Sequence, residues 1–192
     1  MDENGFHGEI QILAPNDDWK NYAQQMTTGR FSGNARQDDI VIRWKDGEVS
    51  QFTDVSERGM GTETQAIAPN DTWIHADEIA SGDYTGNDNW DLIIRWSDGE
   101  LTNYQDFTGN VGAVKENQLV APNETWNHAT ILSGGDYSDN PWPDDTVVRV
   151  LPHPRHPTRP QAGSPHSAPG AALPRGAPPG PTGLLLGGVR VA

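Results

Sequence analysis

The 192 residues include 27 acidic and 13 basic side chains, for a formal net charge of −14, and no cysteine. Disulfides, zinc–thiolate centres and thiol nucleophiles are therefore excluded. Residues 1–150 hold all 27 acidic side chains against 9 basic ones, and a surface this acidic repels nucleic acid and anionic membrane lipid while favouring cations and neutral ligands such as sugars.

The opening MDENGFHGE has neither the basic nor the apolar region of a signal peptide. The longest apolar run near the other end, Leu184-Leu185-Leu186, is far short of the roughly 20 residues that cross a bilayer. The chain reads as soluble and unanchored. Residues 1–12 read as the last strand of a unit preceding the first repeat.

A repeat then dominates the sequence. LAPNDDW (Leu13–Trp19), IAPNDTW (Ile67–Trp73) and VAPNETW (Val120–Trp126) open three segments. The glycine-led stretches GRFSGN, GDYTGN and GDYSDN follow, beginning at Gly29, Gly82 and Gly135. Then come DIVIRWKDGEV (Asp39–Val49), DLIIRWSDGEL (Asp91–Leu101) and the shorter DTVVRV (Asp145–Val150). Pro15, Pro69 and Pro122 are 54 and 53 positions apart, which sets a unit of about 53 residues. The expected divisions are residues 13–66, 67–119 and a truncated 120–150.

Each unit reads as four short strands. In Leu92–Trp96, alternation places Leu92, Ile94 and Trp96 on one face and Ile93 and Arg95 on the other. Asp98-Gly99 supplies a tight hairpin turn, and Glu100–Phe107 returns as the next strand. Gln118–Ala121 and His75–Tyr84 complete the set, and no stretch keeps a helical period. A sheet of this size cannot offset the entropy of its own ordering, so units must stack.

In the loop Asp83–Asp91, oxygen-bearing side chains alternate at Asp83, Thr85, Asn87, Asn89 and Asp91, with Gly86 at the bend. Hard cations such as Ca²⁺ take 6–8 oxygens, so a weak calcium cradle is one reading; a polar turn held by Asx-type hydrogen bonds is the other. Asp136, Ser138, Asn140 and Asp144 repeat the pattern in the third unit, with Asp139 in place of the glycine. In the first unit Arg30 stands at the leading position, ahead of Ser32, Asn34 and Asp38, and a guanidinium cannot ligate a cation.

Residues 1–150 resemble the FG-GAP/VCBS-type (integrin-alpha-like) β-propeller repeat, whose blades carry a D-x-[DN]-G-[DN]-x-x-x-D calcium loop. Thr85 and Asn87 depart from the carboxylates common in that loop. The resemblance implies an all-β fold of propeller-like blades, each of four antiparallel strands, in a partial or incomplete propeller. It also implies calcium, a secreted or cell-surface location, and non-catalytic binding of a glycan, cell-surface polymer or protein. The alternatives are a purely structural spacer and an accessory region of a larger secreted hydrolase. Self-association that completes a propeller follows from the incomplete blade number.

Of seven tryptophans, Trp19, Trp73 and Trp126 recur at one repeat position, and Trp44 and Trp96 at another, which points to packing between blades. Trp90 and Trp142 lie in the polar loops, where exposed rings could stack on the C–H face of a sugar. His75 and His128 are equivalent, with Asn21 opposite them in the first unit, and read as structural hydrogen bonders. Arg43, Arg95 and Arg149 recur beside apolar residues and are expected to pair with acidic or carbonyl groups. No G-x-S-x-G, P-loop, Rossmann or H-E-x-x-H motif is present, so the chain reads as no enzyme.

From Leu151 the character changes to ten prolines and four arginines with no acidic residue. Residues 151–192 are expected to form neither core nor sheet. They read as a disordered linker-like tail or as translation of a shifted reading frame.

Overall fold

The computed structural model describes residues 10–34, 36, 38–109, 114–138 and 143–151, together with the backbone of Leu186–Arg190. The first sheet comprises β1 (Ala23–Gly29), β2 (Asp39–Trp44), β3 (Val49–Thr53) and β4 (Thr62–Ile67), in that order and antiparallel. The second repeats it with β5 (Ala76–Gly82), β6 (Asp91–Trp96), β7 (Leu101–Gln105) and β8 (Lys115–Val120). The third has the order β11-β10-β9, from β9 (Ala129–Gly135), β10 (Asp145–Val150) and β11 (Leu186–Arg190).

The four strands expected per unit are present in the first two units. Ile67 and Val120 close the outer strands β4 and β8, so the expected divisions at 66/67 and 119/120 cut one residue into a strand. Residues 10–12 are not a strand, and residues 1–9 of the expected preceding strand lie outside the described residues.

Of the expected tail, residues 152–185 and 191–192 lie outside the described residues, and Leu186–Arg190 pairs with β10 as a short strand. Strand pairing uses backbone groups, and β10 offers an open row of them. The pairing keeps the register of the other sheets: Arg149 opposes Leu186 as Arg43 opposes Val49 and Arg95 opposes Leu101.

Both Asp-Gly turns carry the positive φ expected of a tight hairpin, 83° at Gly47 and 84° at Gly99. The aspartate Oδ1 accepts the N–H two residues on, from Glu48 at 3.1 Å and Glu100 at 3.0 Å. Short helical segments precede the first strand of each sheet and were not expected: α1 (Asp17–Tyr22), a 3₁₀ turn (Trp73–His75) and α2 (Glu124–Asn127). They explain the repeated Pro-Asn-x-x-Trp. Asn16, Asn70 and Asn123 accept the N–H of Trp19, Trp73 and Trp126 at 2.9, 3.0 and 3.1 Å; Asn16 and Asn123 are N-caps of α1 and α2, and Asn70 makes the same bond ahead of the 3₁₀ turn.

The sheets stack face to face, approaching most closely along their first strands, β1 on β5 and β5 on β9. One core joins Val41 and Val49 of the first sheet to Leu92, Ile94 and Trp96 of the second. The other joins Ile93 and Leu101 to Leu132 and Val148 of the third. The alternation read from Leu92–Trp96 therefore divides β6 between two neighbours. Trp73 packs edge-on against Trp96 (5.4 Å between centroids) and tilted on Tyr104; Trp19 repeats this with Trp44 (5.5 Å) and Phe52. These ring contacts run within a unit, while Trp73 also belongs to the core between the first and second sheets. The described sheets form an open stack rather than a closed barrel.

Candidate functional site

The loop between β5 and β6 holds Asp83, Thr85, Asn87, Asn89 and Asp91. Its two ends are buried, with Asp83 1% and Asp91 0% exposed, whereas residues 85–89 are exposed. Asp83 spends both carboxylate oxygens on the loop itself, accepting the N–H of Asn87 at 3.0 Å on Oδ1 and of Asp88 at 2.9 Å on Oδ2. Asn87 accepts the Asn89 N–H at 2.9 Å and donates from Nδ2 to Asp106 Oδ1 at 2.7 Å. Asp91 Oδ1 accepts the Asp106 N–H at 2.8 Å. Four of these oxygens, both of Asp83 and one each of Asn87 and Asp91, accept backbone N–H groups. Among the described residues, no three Asp, Glu or His side chains gather in a group that could hold a metal ion. The hydrogen bonds of Asp83 and Asn87 have the geometry of Asx-type turns.

The same device recurs. In the first sheet Asp39, 0% exposed, accepts the N–H of Ser32 and that of Asp54, the latter at 3.1 Å. In the third, Asp145 accepts the Tyr137 N–H at 2.9 Å. Asp54 and Asp106, each with positive φ (58° and 55°), directly follow the equivalent strands β3 and β7, and an Asn of the neighbouring loop donates to each side chain. The leading aspartate of the second strand thus fastens the hairpin loops at its end of the sheet.

Pairing of strands also corrects which residues are equivalent. Gly29, Gly82 and Gly135 oppose Asp39, Asp91 and Asp145. Asp145, not Asp144, is the counterpart of Asp91, and Asp39, not Asp38, is its counterpart in the first unit, because those loops are one residue longer. Asp136 is exposed; Ser138 and Asp144 are half-buried; Asn140 lies outside the described residues. Likewise Tyr22, not Asn21, matches His75 and His128, since their carbonyls accept the N–H of Lys45, Ser97 and Leu151.

Burial pushes the Asp91 carboxyl up to about 6, with the charges of Asp106 and Asp83 adding to the rise and the N–H groups of Asp106 and Tyr84 opposing it. Arg95, also buried, pairs with Asp77 Oδ2 at 3.1 Å and donates to the Trp96 carbonyl. Arg149 donates to Thr130 Oγ1 at 3.0 Å, at the equivalent bulge of the third sheet.

Trp90 requires the largest correction. It is 6% exposed, packed over Gly29 and edge-on to Phe31, whose ring is 6.0 Å away in the first unit. The stacking neighbour, invisible from a single polar loop, buries it. Trp142, the other expected sugar-stacking ring, lies outside the described residues. Among the described residues, no helix is long and apolar enough to cross a membrane. No family model matches the chain, and no curated protein or solved structure is significantly similar to it.

Proposed function

We propose that the chain is a non-catalytic structural scaffold, an array of propeller-like blades of the secreted or surface-exposed kind, whose loops are locked by their own hydrogen bonds instead of by an ion. The observation that carries this reading is the commitment of Asp83 to the backbone of its own loop through both oxygens. The burial of Trp90 counts against sugar stacking on that ring.

Propeller-like curvature is supported by the shape of each unit. Along the first strands small residues bring the sheets together: Ser81 Oγ lies 2.8 Å from Thr27 Oγ1 and donates to the Thr28 carbonyl at 2.6 Å. A methyl group on Gly134 would fall 2.0 Å from the Ser81 carbonyl oxygen. Farther out, Trp96, Tyr104 and Phe107 fill the space. A sheet thin at one edge and thick beyond it is a wedge, and stacked wedges turn about an axis.

Thermal unfolding with added calcium and with chelator tests the ion-free reading. Even a site of about 1 mM affinity would add about 1.4 kcal/mol at about 10 mM calcium. The midpoint is expected to stay the same; a rise that grows with calcium concentration overturns the reading.

A further inference from the structure

We propose that copies of this chain associate head to tail, the open face of the third sheet seating on the open face of the first in the manner of the two sheet-on-sheet contacts already inside the chain. The inference needs the stacking alone and holds whether or not the loops take an ion.

The internal contacts define what each face does. An aromatic residue two positions after the first strand reaches across to the next unit. Phe31 packs edge-on to Trp90 and Phe107, with centroids 6.0 and 5.6 Å away, and is 2% exposed. Tyr84 reaches Thr146, whose Oγ1 donates to its hydroxyl at 3.0 Å, and is 7% exposed. Tyr137 is the third of the series. It leans on Gly135 as Tyr84 leans on Gly82, yet it is 57% exposed. Ile131 on the same sheet is 44% exposed.

The first sheet presents the opposite half. Met26 stands opposite Ile42 as Ile79 stands opposite Ile94. Met26 is 58% exposed, whereas Ile79, covered by the first sheet, is 5% exposed. The seat of Tyr84 lies against Gly134 and Thr146, which are paired in the third sheet; the pair in register with them in the first is Thr28 and Ile40. Thr28 is exposed and Ile40 half-exposed. One end thus carries an unseated knob and the other a seat that is open at Met26 and Thr28, with Ile42 and Phe52 on the same face buried, and the chain contains two filled examples of the same joint. A second copy is the occupant that brings both halves. Because the two faces differ, the contact is heterologous and propagates until it closes or runs on.

Sedimentation velocity on the 192-residue chain, with Met26→Lys and Tyr137→Lys variants, tests this. The weight-average mass of the unaltered chain is expected to rise at least twofold between about 1 and about 200 μM. Each variant alone should stay monomeric. Mixed, they should form a 1:1 dimer and nothing larger, since the pair retains one good face of each kind; a variant that failed to fold could not do so. A monomer at every concentration, association that survives either substitution, or no dimer on mixing each overturns the proposal.

Discussion

Asp91 is a carboxylate held away from water, and its protonation is coupled to folding. In the unfolded chain an aspartate titrates near ~3.9; in the fold, burial lifts this one to about 6. Between roughly pH 4 and pH 6 the folded state keeps a proton that the unfolded state has released, so this group's contribution to stability falls as pH rises through that window. Asparagine at 91 retains an oxygen for the Asp106 N–H and removes the titration. The stability of the unaltered chain relative to Asp91→Asn should therefore fall by on the order of 2 kcal/mol from pH 4 to pH 7. Thermal unfolding across the range measures it, and a pH-independent difference would mean that the carboxyl does not titrate there. The oxygen types at this position were legible in the sequence. Their direction was not, because Asx turns and ion loops draw on the same residues and differ only in whether backbone N–H groups reach the oxygens first.

At the level of strands and turns, alternation in Leu92–Trp96 and the Asp-Gly pair predicted the local hairpin correctly, since both are properties of a few adjacent residues. The fate of Trp90 was hidden because it depends on Phe31, some sixty positions earlier. The capping role of the repeated asparagine has a sequence signal, an Asn three residues before a recurring Trp. Two glycines separate local from long-range demands. Gly86 has φ 69° with open space around it, while Gly99 has φ 84° and an added methyl would sit 2.0 Å from the Asn123 carbonyl oxygen. Alanine at 86 is expected to cost about 1 kcal/mol, from the left-handed backbone alone. Alanine at 99 should cost about 3 kcal/mol or more, because it also pushes on the cap that precedes the third sheet. Urea unfolding of the two variants compares them; equal costs would show that the cap segment yields freely.

On the scale of the whole molecule, the repeated segments of the first 150 residues predict repetition and strand count but not the partner of β10. A Pro- and Gly-rich composition argues against a core, yet a five-residue strand needs only backbone groups and a waiting edge. Proline at Gly188 removes one donor and crowds the ladder. Hydrogen exchange at Asp145–Val150 should then quicken by roughly 10-fold or more, with β2 and β6 unaffected. Undiminished protection of β10 in that variant would show that β11 does not guard it.

The position of β11 also dictates an order of assembly. β3 follows β2 after the four residues 45–48, but β11 follows β10 only after residues 151–185. Closing a loop that much longer costs about 2 kcal/mol more in chain entropy. The first two sheets can form from neighbouring hairpins as soon as they leave the ribosome, as can the β9–β10 hairpin, whereas the third sheet gains its outer strand only once Arg190 has emerged and found its edge. During that interval β10 stands unprotected, and that is when a newly made chain is most open to capture by another.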